Sequence, residues 1–276
     1  MLSYQHLYHA GSNIDCHKHS VLCLLLQKLK EKETPFCYTD LHSARGLYDV
    51  HCPEALKTRE FETGIVRLWP LGEWPELLAP YHDLVKKINP DGQLRYYPGS
   101  PYLAAALLRA QDRLMLYELH PQEFAALEQN MRHEKRAQCF FADGWKALAE
   151  SLPPKENRGL VLIDPSYELK EDYTRMAERL AKGLQKWRNG IFVVWYPLLL
   201  ANGHLRMLEG IKNSGLRKIL ISEITFRDPA NGQGIYGSGM LIVNPPWQIE
   251  QQISDVSQWL VAQIGLEQRC EWLVEE

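Results

Sequence analysis

A short apolar run that ends at an acidic turn occupies residues 159–167, which read GLVLIDPSY. The first five residues, from Gly159 to Ile163, are typical of a strand that is buried on both faces of a sheet. Asp164 and Pro165 then mark the point where the chain turns out of the sheet. This pattern predicts a buried parallel strand whose carboxyl end opens on a polar loop.

Similar apolar runs alternate with helical stretches along much of the chain. The predicted parallel strands are 36–39, 114–117, 137–141, 159–163 and 190–196. Helices are predicted at 13–32, 101–110, 121–133, 144–152, 173–186 and 198–214. Two more strands, 218–226 and 238–243, flank a Gly-rich loop with no helix between them, so they should pair antiparallel. The alternation predicts an α/β protein with a seven-stranded, mostly parallel, doubly wound sheet.

The segment from Leu47 to Pro98 differs from this pattern. It holds six prolines and only short helical stretches. A strand, a long helical excursion and a return to regular units indicate an α/β domain that carries an insertion. We therefore predict a main domain formed by residues 1–46 and 99–276, with a helical insertion subdomain at residues 47–98.

Composition limits the class of protein. The chain has 276 residues, of which 45% are apolar, with a net charge of −3. That length fits one large domain, and the charge by itself does not indicate a nucleic-acid binder. No signal peptide is visible, and the longest apolar stretches are too short to span a membrane. Six cysteines without paired spacing give no metal site. We expect a monomeric cytoplasmic protein without a membrane partner.

Four acidic residues stand directly after predicted strands, namely Asp40, Glu118, Asp143 and Asp164. Ligands of open α/β sheets bind outside the carboxyl ends of the strands. Acids collected at that edge suit a ligand that offers ribose hydroxyls and amino groups, whereas a triphosphate would need a Gly-rich loop and a lysine. The alternative is that each acid merely caps the helix that follows it.

The most specific motif is Asp164-Pro165-Ser166-Tyr167. It resembles the [DNS]-P-P-[YFW] motif of methyltransferases that act on the amino group of adenine. In such enzymes a carboxylate and a backbone carbonyl accept the two N–H hydrogens, and an aromatic ring stacks on the extruded base. Asp164, the Pro165 carbonyl and Tyr167 match these catalytic roles. The stretch 244–247, NPPW, fits the motif more literally, but it follows the last predicted strand and reads as a rigid turn.

The resemblance extends over essentially the whole chain. Matching segments include 1–4 (MLSY), 93–101 (QLRYYPGSP), 118–121 (ELHP), 142–144 (ADG), 195–197 (WYP) and 238–247. Together they resemble the 23S rRNA (adenine-N6)-methyltransferase J family. The resemblance implies a Rossmann-like methyltransferase fold that uses S-adenosylmethionine to methylate adenine N6 in 23S ribosomal RNA.

The resemblance also implies roles for individual residues. Tyr4 would contact the RNA substrate, as would Tyr167. Glu118 would hold the ribose hydroxyls of the cofactor, and Asp164 would be the catalytic acceptor beside it. The remaining residues expected in the cofactor pocket are His19, His42, Ser100, Asp143 and Gly144.

Two departures from the family pattern bear on activity. The cofactor loop of the family reads D-x-x-x-G-x-G, but here Ala44 replaces its first glycine and Arg45 follows. Ser166 replaces the second proline of the catalytic motif. Two alternatives therefore stay open beside rRNA methylation. One is a DNA adenine methyltransferase, and the other is a non-catalytic cofactor- or DNA-binding protein linked to the use of external DNA.

Overall fold

The computed structural model describes residues 5–169, 171–231 and 234–275. Its strands are β1 (Cys37–Asp40), β2 (Leu47–Asp49), β3 (Tyr96–Pro98), β4 (Arg113–Glu118), β5 (Ala137–Phe141), β6 (Gly159–Ile163), β7 (Ile191–Leu199), β8 (Ile219–Thr225), β9 (Ile235–Val243) and β10 (Glu267–Val274). Its α-helices are α1 (Asn13–Lys30), α2 (Pro53–Thr58), α3 (Ile65–Leu68), α4 (Ala79–Ile88), α5 (Ser100–Leu107), α6 (Pro121–Met131), α7 (Gly144–Glu150), α8 (Glu171–Thr174), α9 (Met176–Lys186), α10 (Gly203–Lys212) and α11 (Ile249–Ile264). Every regular strand and helix that the sequence predicts has a counterpart among these elements.

The central sheet has the strand order β10-β8-β9-β7-β6-β1-β4-β5. Strands β5, β4, β1, β6 and β7 pair in parallel, and β9 runs antiparallel between β7 and β8. The predicted α/β fold and the predicted antiparallel pair are therefore confirmed. Within the described residues the sheet has eight strands, so the predicted count of seven is wrong.

The missed strand is β10, which pairs antiparallel with the edge of β8. Glu267, Arg269 and Glu271 give it a charged, half-exposed sequence in place of an apolar run. Edge strands commonly carry such charges because they discourage pairing with another chain. A search for apolar runs therefore passes over it.

Both faces of the sheet are covered. In β6, Leu160 and Leu162 belong to an apolar cluster that includes α1, α5 and α11. Val161 and Ile163 point to the opposite side and join a second cluster with α7, α9 and α10. The alternation explains why the strand reads as a continuous apolar run, since each successive side chain enters a core.

Residues 47–98 hold three short α-helices and the two-stranded sheet of β2 and β3. These elements pack mainly against α1 and α11. Trp74 shows this packing, because its ring lies 5.6 Å from that of Trp259 on α11. The segment thus covers one side of α1 along most of its length, from Asn13, whose N–H donates to Thr63, to Gln27, whose amide donates to the Leu77 carbonyl. In the described part of the chain, no helix is long and apolar enough to cross a membrane.

Candidate active site

The seven residues predicted to bind the cofactor line one cavity of about 400 Å³ at the carboxyl edge of the sheet. They are His19, His42, Ser100, Glu118, Asp143, Gly144 and Asp164. They come from six separate parts of the chain. Four of these are carboxyl ends of parallel strands, which meet at one edge of the sheet, and α1 and α5 supply the other two. A cavity of this size falls in the usual range for small-ligand sites.

Glu118 is the last residue of β4, and its partly satisfied carboxylate lines the cavity. Its two oxygens accept hydrogen bonds from the backbone N–H groups of Ala44, at 2.8 Å, and His120, at 2.6 Å. Burial raises the pKa of Glu118, although these two amides counteract the effect. Each carboxylate oxygen can accept more than one hydrogen bond, so Glu118 can also receive hydroxyl donors from a ligand.

Asp143 fits both interpretations that the sequence left open. It is the N-cap of α7, where its side chain accepts from the Trp145 N–H at 2.9 Å. It also lines the cavity beside Gly144. A Cβ at Gly144 would lie 2.1 Å from the Leu41 carbonyl oxygen, so only glycine allows α7 to start this close to the loop after β1.

Asp40 is fully buried behind the cavity wall instead of lining the cavity. It accepts hydrogen bonds from the hydroxyls of Tyr38 and Ser100, both at 2.7 Å, and from the His42 N–H at 3.2 Å. Burial raises the pKa of Asp40 to about 6. Its role in this structure is to hold Ser100 and His42, two of the lining residues.

Burial keeps two of the lining histidines, His19 and His42, in the neutral form at pH 7. Burial lowers the pKa of His19 to about 3 and that of His42 to about 4. His19 Nδ1 lies 2.7 Å from the Tyr97 hydroxyl, and His42 Nδ1 accepts from the Asp164 N–H at 3.2 Å. These side chains therefore contribute hydrogen bonds and ring surface to the cavity, with no positive charge.

The loop after β1, which the sequence predicts to bind the cofactor, has a glycine-like backbone at Ala44. Ala44 has a φ of 46°, in the left-handed region where glycine is favoured. Arg45 turns away from the cavity and forms an ion pair with Glu123 at 2.5 Å. The Arg45 side chain therefore does not fill the cavity. Ala44, which replaces the first glycine of the family pattern, has a strained backbone conformation.

A second cavity of about 510 Å³ adjoins the first. The two share His6, Lys18, Asp164 and Ser166 as lining residues. The rest of the second cavity has a mixed lining that includes Glu60 and several aromatic and basic residues, namely Trp195, Phe226, Tyr236, Arg67 and Arg227. The Arg67 side chain has no hydrogen-bond or ion-pair partner among the described residues. The shared residues mark the junction at which two ligands could meet.

Lys18 occupies this junction, although it is not among the site residues that the sequence predicts. Its side chain is almost fully buried, with Nζ 2.6 Å from Asp164 Oδ2 and 2.9 Å from Asp15 Oδ1. Burial alone would lower the pKa of Lys18, but the charges of Asp15 and Asp164 outweigh it and raise the pKa. The one signal that could have identified Lys18 is its position among apolar residues on the buried side of a predicted helix. Lysines are almost never fully buried without a charged partner, so such a lysine indicates a nearby carboxylate.

The motif residues after β6 occupy different environments. Pro165 lines the first cavity, and Ser166 lines both. Tyr167 lines neither, because its hydroxyl donates to the Trp195 carbonyl at 2.6 Å and its ring lies 4.4 Å from that of Tyr173. The stacking role of Tyr167 stays a prediction, and Tyr4 lies outside the described residues.

The competing motif at Asn244 lies at the other edge of the sheet. Asn244 follows Val243, which pairs with Phe192 at the start of β7. The Asn244 amide donates to the carbonyls of Arg188, at 3.0 Å, and Gly190, at 2.9 Å. These contacts fasten a turn near the amino ends of the parallel strands, whereas Asp164 follows the carboxyl end of β6.

The chemistry of the first cavity fits S-adenosylmethionine. Glu118 and Asp143 supply acceptors for hydroxyl and amino groups. The lining cations Lys18 and Arg179 are each paired with a carboxylate, at 2.6 Å and 2.9 Å. Among the described residues that line this cavity, no lysine or arginine is left without a carboxylate partner to bind a phosphate chain. The lining therefore suits a positively charged nucleoside better than a nucleotide.

Comparison with known proteins agrees with this chemistry. Residues 33–274 match the family model described as "Ribosomal RNA large subunit methyltransferase D, RlmJ". A protein of Escherichia coli K12 named ribosomal RNA large subunit methyltransferase J is 43% identical over 94% of this chain and 93% of its own length. The protein of the same name from Haemophilus influenzae is 42% identical over 100% of this chain and 98% of its own length.

A solved structure supports the same relationship. The crystal structure of a Legionella pneumophila protein superposes with a TM-score of 0.89 and is 34% identical, covering 96% of this chain and 98% of that one. The family match and the two named relatives each extend over most of the chain. The chain therefore belongs to the ribosomal RNA large subunit methyltransferase J family.

Proposed function

We propose that this protein transfers the methyl group of S-adenosylmethionine to the N6 nitrogen of an adenine in 23S ribosomal RNA. The observation that carries the proposal is the junction of the two cavities at Asp164. Lys18 holds Asp164 Oδ2 at 2.6 Å, while no described residue donates a hydrogen bond to Oδ1. A carboxylate that is fixed through one oxygen can accept, with its other oxygen, a hydrogen bond from the amino group that receives the methyl group.

The first cavity is proposed as the cofactor site. Glu118 would accept from the ribose hydroxyls, and Asp143 would accept from the adenine amino group next to Gly144. The neutral rings of His19 and His42, together with Ser100, would complete the walls without adding charge near the sulfonium. When bound, S-adenosylmethionine supplies an electrophilic methyl group for in-line transfer.

The second cavity is proposed as the site of the extruded adenine. The lone pair of adenine N6 is delocalised into the ring, which makes it a poor nucleophile. Asp164 Oδ1 and the Pro165 carbonyl would accept the two N6 hydrogens and so localise that lone pair toward the first cavity. Tyr167 would stack on the base only after its ring leaves the contact with Tyr173, and Tyr4 is proposed to contact the RNA nearby.

The larger organisation follows from this assignment. Residues 47–98 are proposed as an insertion subdomain beside the substrate cavity, to which they contribute Arg67. The protein is proposed to act as a monomer. A ribosomal RNA substrate supports a cytoplasmic site of action. Ribosomal RNA is favoured over DNA and over a binding-only role because both named relatives are large-subunit rRNA methyltransferases.

A methyl-transfer assay tests the proposal. Purified protein is incubated with S-adenosylmethionine carrying a labelled methyl group and with protein-free 23S rRNA that lacks the modification, or with duplex DNA. We expect label in the RNA alone, and we expect the hydrolysed RNA to contain N6-methyladenosine. Label only in DNA would replace the RNA assignment with the DNA alternative. Cofactor binding without transfer to either would leave the binding-only alternative.

A further inference from the structure

Asp15 is a fully buried carboxylate in the first turn of α1. Its Oδ2 accepts hydrogen bonds from the Gly11 N–H at 3.0 Å and from His6 Nε2 at 2.8 Å. Its Oδ1 lies 2.9 Å from Lys18 Nζ, as an ion pair and not as an aligned hydrogen bond. A carboxylate with no exposure is costly to bury unless such partners compensate it.

Two of these partners reach the junction of the cavities, but Asp15 itself does not. His6 and Lys18 line both cavities, whereas Asp15 lines neither. Lys18 continues from Asp15 to Asp164, which gives an unbroken chain of contacts from a buried helix to the open carboxylate. Any influence of Asp15 on the reaction therefore passes through His6 and Lys18.

We propose that Asp15 is a positioning residue that fixes Lys18 and His6 at the junction, so that Asp164 keeps Oδ1 directed toward the acceptor amine. This inference rests on the proposed function. A lysine has a flexible four-carbon stem, and a single contact with Asp164 would let both side chains shift together. Asp15 holds the Lys18 ammonium group from the interior of the protein. Asp164 can then pair with this fixed ammonium group in a single orientation.

The main competing explanation is purely structural. Asp15 lies near the amino end of α1, where a negative charge stabilises the helix dipole, and its loss could simply weaken the fold. The two explanations differ in what they predict for catalysis by folded protein. Loss of a positioning residue lowers kcat while the cofactor affinity stays constant. Loss of a purely structural residue lowers the melting temperature, but kcat measured below that temperature does not change.

The test uses Asp15→Asn and Asp15→Glu in the full-length protein, assayed below their melting temperatures with cofactor present. Asn keeps the size and removes the charge, and Glu keeps the charge and moves it by one methylene. We expect kcat to fall on the order of 100-fold in both, since misplacement of a reacting group by about 1 Å has such an effect. The Kd for S-adenosylmethionine should stay within about twofold, because the proposed cofactor acceptors Glu118 and Asp143 are held by other partners, the backbone amides of Ala44, His120 and Trp145.

Asp112→Asn is the matched control. Asp112 is also buried and also pairs with a cation and a backbone amide, those of Arg109 and Phe36, but it lies at the amino end of β4. It should lose stability and keep its kcat. Wild-type kcat in folded Asp15→Asn or Asp15→Glu would overturn the positioning role. Absence of rRNA methylation in the wild-type protein would instead refute the proposed function, so the two failures are distinguishable.

Discussion

Replacing Ala44 by glycine should stabilise the protein, against the usual effect of such a change. Ala44 has a φ of 46°, and an L-residue with a Cβ pays about 1–2 kcal/mol in this region, whereas glycine does not. Glycine also makes the unfolded chain more flexible, which costs about 0.4–1 kcal/mol. With the middle of each range, the two effects leave a net stabilisation of about 0.8 kcal/mol for Ala44→Gly.

Calorimetry measures this effect against a matched change nearby. For a chain of this length the unfolding entropy is about 0.6 kcal/mol/K, so the melting temperature should rise by about 1–2 °C. Ala142→Gly is the control, because Ala142 lies in the neighbouring loop after β5 and is not among the residues with positive φ. That variant should melt lower than wild type. An Ala44→Gly variant that melts as low as Ala142→Gly would refute the strain at Ala44.

Three further predictions concern catalysis, RNA binding and pH. Asp164→Ala should abolish methyl transfer and keep much of the cofactor affinity, whereas Asn244→Ala should lower the melting temperature and retain turnover; the reverse pattern would move the active site to the other edge of the sheet. Arg67→Ala should raise the KM for RNA and reduce the slope of log KM against log salt by about 1, since we expect the Arg67 side chain, which lines the second cavity, to contact one RNA phosphate. Arg59→Ala, which breaks a surface pair with Glu62 on the same insertion, should change neither quantity. Stability should fall as the pH drops from 6.5 toward 4, because buried neutral histidines with lowered pKa values must take up protons on unfolding. Those histidines are His17, His19 and His42. The raised pKa of Asp40 opposes this trend, and urea midpoints that increase on acidification would show that it dominates.

The sequence was sufficient for the regular parts of the fold. The run from Gly159 to Ile163 predicted β6 correctly because each of its side chains enters a core on one face of the sheet or the other. Edge strand β10 was missed for the same physical reason, since a half-exposed strand with charges at Glu267 and Arg269 shows no apolar run. Periodicity reports burial, and it is therefore informative only where an element is buried.

The sequence by itself also determined which acids follow the strands, because parallel strands end at one edge and the turn residues there are local. Only the tertiary structure decided which of them face the cavity, with Glu118 lining it and Asp40 buried behind it. It also brought Lys18 of α1 to within 2.6 Å of Asp164, a residue 146 positions away in the chain. Such pairs depend on how a helix packs across a sheet, and packing is set by the whole core and not by the residues adjacent in sequence.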